Sequence, residues 1–390
     1  MVNRIVLLIL DSVGIGALPD AKKFNSEGAN TLGNIVKKHR DIDLNQLIKL
    51  GLGNIEGVDY LPSEKEPKAA FGRSMEYSNG KDTTTGHWEI AGIHLDKPFK
   101  TYPNGFPKEI MDKFEELTGK KGIGNKPASG TEIIEELGRE HLETKNPIIY
   151  TSADSVLQIA AHEEITPLEE LYEMCETARE IMTGENAVAR IIARPFVGEL
   201  GSFERTANRK DYSLSPQENT VLDFTIAAGY EVIGIGKIDD IFNGQGISRK
   251  IASKSNQQGI EKTIEAIKEN SKGIIFTNLV DFDSKFGHRR DPKGYKEALE
   301  EVNHHLPMLL NSLKETDLLI ITADHGNDPT YPGTDHTREY VPLLIVGNSV
   351  KKGADIGTRR SFADIAATIS ELLQVERPRN GSSFAELILK

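Results

Sequence analysis

A doubly wound, mostly parallel α/β sheet with an inserted α+β domain is expected from three features of this chain. Apolar runs recur without alternation, helical patterns lie between them, and a long middle stretch departs from that rhythm. Runs of this kind mark strands buried on both faces, as in parallel sheets. The first is Arg4-Ile-Val-Leu-Leu-Ile-Leu10, ended by Asp11. Glu231 to Gly234 is a short later example; Gly273 to Asp281, Asp317 to Asp324 and Val341 to Gly347 are clearer. Helical patterns at 220–228, 257–270, 292–313 and 361–373 alternate with them, which is the grammar of a parallel sheet.

The middle stretch holds helical patterns at 107–117, 131–141 and 167–182 and shorter strand patterns at 147–151 and 190–195. Polar, turn-rich segments border it, Lys97 to Gly105 on one side and Asn208 to Pro216 on the other. The expected organisation is a core made of 1–98 and 216–390, with 99–215 as the insertion.

Composition narrows the function. Hydrophobic residues make up 38% and charged residues 27%, an ordinary globular balance. The Ile5 to Leu10 run is far too short to span a bilayer, and no ordered secretory signal follows Met1, so no membrane role and a cytoplasmic setting are expected. Cys175 is the single cysteine, which excludes an intrachain disulfide and a Cys-based zinc site and leaves it the role of a small core residue. A formal net charge of −12 without a basic tract argues against nucleic acid as a partner. A phosphate substrate would need a local positive site within so acidic a chain, and metal ions would supply one.

Asp11, Asp283 and Asp324 stand at or just beyond the ends of apolar strands, where open α/β sheets collect ligands. Three carboxylates there resist ionising together unless cations hold them. Any one of them alone reads more simply as a helix cap or turn residue. Histidines alter that balance: His288 follows Asp283 by five residues, His325 adjoins Asp324, and His336 lies in the polar loop Gly333 to Arg338. Six mixed nitrogen and oxygen donors suffice for two first-row divalent ions, with Mn²⁺ or Zn²⁺ suited to the set. In Gly80-Lys-Asp-Thr-Thr-Thr-Gly-His-Trp-Glu89 a hydroxyl residue follows Asp82 at the start of a helical segment. Helix N-termini favour phosphate, and a metal-activated threonine is a competent nucleophile. An ordinary threonine cap fits that segment equally well.

Together these segments resemble the alkaline phosphatase superfamily of two-metal phosphoryl and sulfuryl transfer enzymes, and within it the phosphopentomutase family. The similarity runs over essentially the whole chain, through Asp11 to Gly16, Gly80 to Glu89, Asn125 to Glu132, Thr151 to Glu164, Asp281 to Asp291 and Thr322 to Glu339. The resemblance implies that Thr83 carries phosphate in the resting enzyme. It implies that Asp11, Asp324 and His325 hold one metal with the Thr83 oxygen, while Asp283, His288 and His336 hold the other. Two divalent ions, Mn²⁺ foremost, are the implied cofactors, with a sugar bisphosphate as activator. The insertion becomes a cap in which Asp154, Arg190 and Arg205 reach the sugar and its far phosphate. The implied partners are pentose phosphates: ribose 1-phosphate, ribose 5-phosphate and their deoxyribose counterparts. A metal-dependent phosphomonoesterase and a cofactor-independent phosphoglycerate mutase-like enzyme are the competing readings, the latter expecting a serine nucleophile.

Overall fold

The run Arg4–Leu10 forms a strand with all seven residues buried, which is why it carries apolar side chains on both faces. A computed structural model describes residues 2–152, 155–269 and 271–390 of the chain. They form two compact units, Met1–Lys97 together with Pro216–Lys390, and Pro98–Ser215.

The first unit is built on an eight-stranded sheet. Across it the strands run Arg249–Ile251, Glu231–Ile235, Gly273–Leu279, Arg4–Leu10, Asp317–Thr322, Val341–Gly347, Ala70–Ser74 and Asp355–Arg359. The first five are mutually parallel. Val341–Gly347, expected as one more parallel strand, is antiparallel to both of its neighbours. Ala70–Ser74, Arg249–Ile251 and Asp355–Arg359 are strands of only five, three and five residues, too short for a periodic signal in the sequence.

Register decides what this sheet offers. Leu10 lies beside Leu279, and Ile9 lies beside Thr322, so three central strands end level with one another. The residues that follow them therefore leave from one edge. Helices Val221–Ala227, Asn256–Lys268, Pro292–Ser312 and Ala363–Leu373 lie close to the expected spans. Their starts are chemically marked: Thr220 and Asp223 form a capping box, Ser255 accepts from Gln258 N, and Asp291 accepts from Gly294 N ahead of Pro292.

The second unit has a sheet ordered Ile123–Pro127, Ile148–Thr151, Val156–His162, Arg190–Val197 and Glu204–Arg205, with Lys210–Ser213 also pairing Arg190–Val197. Alternate residues feed two cores. Ile149, Leu157, Ile159 and Ile191 join Phe114, Leu171 and Cys175, while Ile148, Tyr150, Ala160 and Phe196 join Ile133 and Ile134. Cys175 is thus a core residue, and burial pushes its thiol pKa up. Among the described residues no helix is long and apolar enough to cross a membrane.

Opposite the ligand-collecting edge, Arg4 pairs with Asp317 through Nε–Oδ1 at 3.1 Å and Nη2–Oδ2 at 2.6 Å, both side chains being 2% exposed. Removing one partner of a buried pair strands the other charge, at a cost of about 3–5 kcal/mol, whereas replacing both with apolar groups costs far less. Asp317→Ala is expected to lose that much stability in urea unfolding, and Arg4→Met combined with Asp317→Leu is expected to recover most of it.

Candidate active site

The level strand ends deliver Asp11 and Asp324 from adjacent strands, both fully buried. Asp324 and His325 follow the strand end at Thr322, so the adjacent pair is free of the alternation that would send the side chains to opposite faces. Asp283 comes from the π-helical turn Phe282–Gly287 after the Gly273–Leu279 strand, and His288 closes that turn. His336 arrives from the loop ahead of Val341–Gly347. Two backbone hydrogen bonds between Gly326 and Thr337 dock that loop beside His325.

The structure brings all six of these side chains together. The ligand atoms of Asp11, Asp324 and His325 lie within 4.8 Å of one another, and so do those of Asp283, His325 and His336. His325 is therefore common to both groups, where the sequence reading had placed it in one. His288 Nε2 joins the second group at 3.2 Å from Asp283 Oδ2 and 3.1 Å from His336 Nε2. His336 Nε2 is 3.3 Å from Asp283 Oδ1.

The donor set suits cations. His325 Nδ1 faces Gly326 O at 3.0 Å and His288 Nδ1 faces Thr334 O at 2.7 Å. A carbonyl only accepts, so each Nδ1 carries a proton and Nε2 is the nitrogen that each ring turns to the cluster. Each aspartate has one oxygen tied to a neutral donor: Asp11 Oδ2 to Asn278 Nδ2 at 2.8 Å, Asp324 Oδ1 to Ser12 N at 3.0 Å, Asp283 Oδ1 to Asn327 Nδ2 at 2.7 Å. Ser12 reaches that position in the left-handed region, at φ 76°. Asp11 Oδ1 is buried without a hydrogen-bond partner, and Asp324 Oδ2 has only the ring nitrogens His87 Nδ1 at 3.1 Å and His325 Nε2 at 3.2 Å beside it. Carboxylate oxygens and imidazole nitrogens converging in this way form a site that two divalent ions could fill, with mixed N/O ligation.

The electrostatics agree. Burial, then the charges of Asp324 and Asp283, push Asp11 up to about 7. Burial also acts to raise Asp283, but His336 and His288 outweigh it and hold that carboxyl well below its ordinary value. Asp324 is lowered as well, His325 and His87 overcoming its burial. A bound cation would favour ionisation of all three.

Thr83 is the first residue of the helix Thr83–Ile90, capped by Asp82, whose Oδ1 accepts from Thr85 N at 3.1 Å. Its Oγ1 lies 3.1 Å from His325 Nε2, which puts the hydroxyl beside the ligand cluster. The helix approaches so closely that a Cβ on Gly86 would stand 2.1 Å from Asp324 O. The preceding loop is clamped by Arg338, which donates to Glu76 Oε2, Ser78 O and Gly80 O, each at 2.7 Å. Glu89 completes the clamp by accepting from Tyr77 N, Ser78 N, Phe362 N and the Ser361 hydroxyl.

In the second unit, Arg190 opens its strand half-exposed, with Nη1 3.7 Å from Asp211 Oδ2. Arg205 is exposed on Glu204–Arg205 and lies against the start of the helix Gly130–Thr144, where a Cβ on Gly130 would be 3.1 Å from its Nη1. Asp154 lies outside the described residues. Sequence reasoning missed Asn278, Asn327, His87 and Arg338. An asparagine, Asn278, inside the mostly apolar, fully buried strand Gly273–Leu279 was the readable signal, since such residues are buried only when paired.

The family profile described as Metalloenzyme superfamily matches residues 3–377. The chain is 60% identical over 390 residues to the phosphopentomutase of Alkaliphilus oremlandii, covering 100% of both proteins. It is 61% identical over 390 residues to that of Alkaliphilus metalliredigens, again over 100% of each. Among solved structures, Leishmania mexicana phosphoglycerate mutase at low cobalt concentration is similar at 13% identity and a TM-score of 0.47, covering 100% of this chain and 98% of that one.

Proposed function

Because the chain belongs to the phosphopentomutase family of the metalloenzyme superfamily, a family of isomerases that act as intramolecular phosphotransferases, we propose that it interconverts α-D-ribose 1-phosphate and D-ribose 5-phosphate, and the 2-deoxyribose pair. The observation that carries the reading to a mechanism is the position of Thr83 Oγ1, 3.1 Å from the one histidine shared by both ligand groups. Asp11, Asp324 and His325 would hold one divalent ion, and Asp283, His288 and His336 the other, with Mn²⁺ the preferred metal. Bound there, the ions supply charge stabilisation for the attacking and leaving oxygens of an in-line phosphoryl transfer.

Thr83 acts as the phosphoryl carrier. The bond from phosphorus to Thr83 Oγ1 breaks as one forms to the free hydroxyl of the sugar phosphate, giving a sugar 1,5-bisphosphate. The bisphosphate turns, and its other phosphoryl group returns to Thr83. A chain whose threonine has lost its phosphate is primed by a sugar bisphosphate. The helix start at Thr83 favours the transferring group through its N–H groups and dipole. Arg205 and Arg190 are assigned to the sugar phosphate on the family resemblance, guanidinium being suited to bidentate phosphate binding. Asp154 is assigned to the sugar on the family resemblance alone.

With Mn²⁺, the protein is expected to convert ribose 1-phosphate to ribose 5-phosphate without equivalent release of inorganic phosphate; phosphate as the main product would make it a phosphomonoesterase. Thr83→Ala should keep its fold and metal content and lose turnover by on the order of 10⁴-fold or more. Mass spectrometry after incubation with ribose 1,5-bisphosphate should find phosphate on Thr83, and phosphate on Thr84 or Thr85 would reassign the carrier. Arg205→Ala should raise KM for ribose 5-phosphate by about 10- to 100-fold, the worth of a charge-assisted hydrogen bond, with metal content unchanged. Unaltered kinetics would make Arg205 a surface residue.

A further inference from the structure

His87 is fully buried and follows Thr83 by four residues, one turn along the same helix face. Its Nδ1 hydrogen-bonds with Thr83 O at 2.9 Å and stands 3.1 Å from Asp324 Oδ2. Its Nε2 meets Asn278 Nδ2 at 3.1 Å. Asn278 is 1% exposed and sends the same amide nitrogen to Asp11 Oδ2. Asp11, ionised as a bound cation would keep it, can only accept, so the NH₂ end of Asn278 is the end that faces it, and Asn278 Oδ1 points elsewhere without a partner. The two amide hydrogens then go one to Asp11 and one to His87. His87 Nε2 must accept, and the ring proton must lie on Nδ1, aimed at a carbonyl that also requires a donor. Phe276 walls the ring, with centroids 5.8 Å apart and 26° between planes.

We propose that Asn278 and His87 are positioning residues for phosphoryl transfer. Asn278 selects the Nδ1–H tautomer of His87, and that N–H holds Thr83 at its helix start while facing Asp324. Asp11, Asp324 and the carrier hydroxyl are thereby fixed as one unit, with neither residue touching substrate. The inference rests on Thr83 as the phosphoryl carrier. The tautomer itself does not, so the two can fail separately.

The test uses the full protein loaded with Mg²⁺, a diamagnetic ion, and ¹⁵N-labelled at histidine. The His87 resonances, assigned by their loss in His87→Asn, should show a protonated Nδ1 and a bare Nε2. Asn278→Asp, whose carboxylate can only accept, should add a proton to Nε2 while Thr83 O and Asp324 keep the one on Nδ1, and should slow single-turnover transfer from phosphorylated Thr83 by on the order of 10²- to 10³-fold. KM for ribose 5-phosphate should move by less than about 3-fold, since the pair acts on the chemical step. Asp at 278 also adds charge beside Asp11, so a second pair of variants separates the effects. Asn at 87 places an amide N–H where Nδ1–H stands, and Gln places it at the Nε2 position. His87→Asn should transfer at least about tenfold faster than His87→Gln at equal metal content. An Nε2–H tautomer in the unaltered protein, or equal rates for the two substitutions, would overturn the inference. An unaltered protein that forms no phosphothreonine would instead count against the carrier assignment.

Discussion

Three buried carboxylates in one place are the constraint around which the first unit is built. Asp11 and Asp324 are fully buried and Asp283 is 6% exposed. Three carboxylates removed from water are costly unless paired or hydrogen-bonded. The fold meets part of that cost with neutral donors, Asn278, Ser12 N and Asn327, each committed to one oxygen of one aspartate. The oxygens left over face histidine nitrogens. Sheet register, the π-helical turn and the Gly326–Thr337 bridge all serve to set that convergence. An apolar core would have needed none of them.

The same logic extends to the segment that carries Thr83. The hydroxyl is useful only if held at the edge of the ligand cluster, and its loop is fastened from two directions. Arg338 reaches it from the chain just beyond His336, so a displacement of the histidine loop would be felt by the loop before Thr83. Gly86 lets the helix lie against Asp324 itself. Thr83 and the acid–histidine cluster are thus joined through backbone and side chain alike, which suits chemistry that depends on alignment to within fractions of an ångström.

What was legible in the sequence follows from how strongly each feature repeats. Arg4–Leu10, Gly273–Leu279 and Asp317–Thr322 announce themselves because strands buried on both faces carry continuous apolar runs, Ile5–Leu10, Ile274–Phe276 and Leu318–Ile321. The acids at their ends were legible for the same reason. Strand direction was not: Val341–Gly347 has the composition of a parallel strand and runs antiparallel, a property set by the loops and not by its own residues. Val156–His162 is not marked in the sequence, because Gln158 and two small alanines break up its apolar run. The ligand residues stood out by type and position, whereas the sharing of His325 between two groups depends on distances that only the folded chain defines. His87 was hidden for a related reason, since it is an unremarkable residue until Asn278, 191 positions away, is brought to 3.1 Å.

The central claim is that the two ligand groups hold two ions beside Thr83. The most direct measurement is anomalous X-ray scattering at the manganese edge from crystals grown with Mn²⁺. Two peaks are expected, about 3.5–4 Å apart as in other two-metal sites, one bounded by Asp11, Asp324 and His325 and the other by Asp283, His288 and His336. A single peak, or manganese bound away from these six residues, would contradict the account.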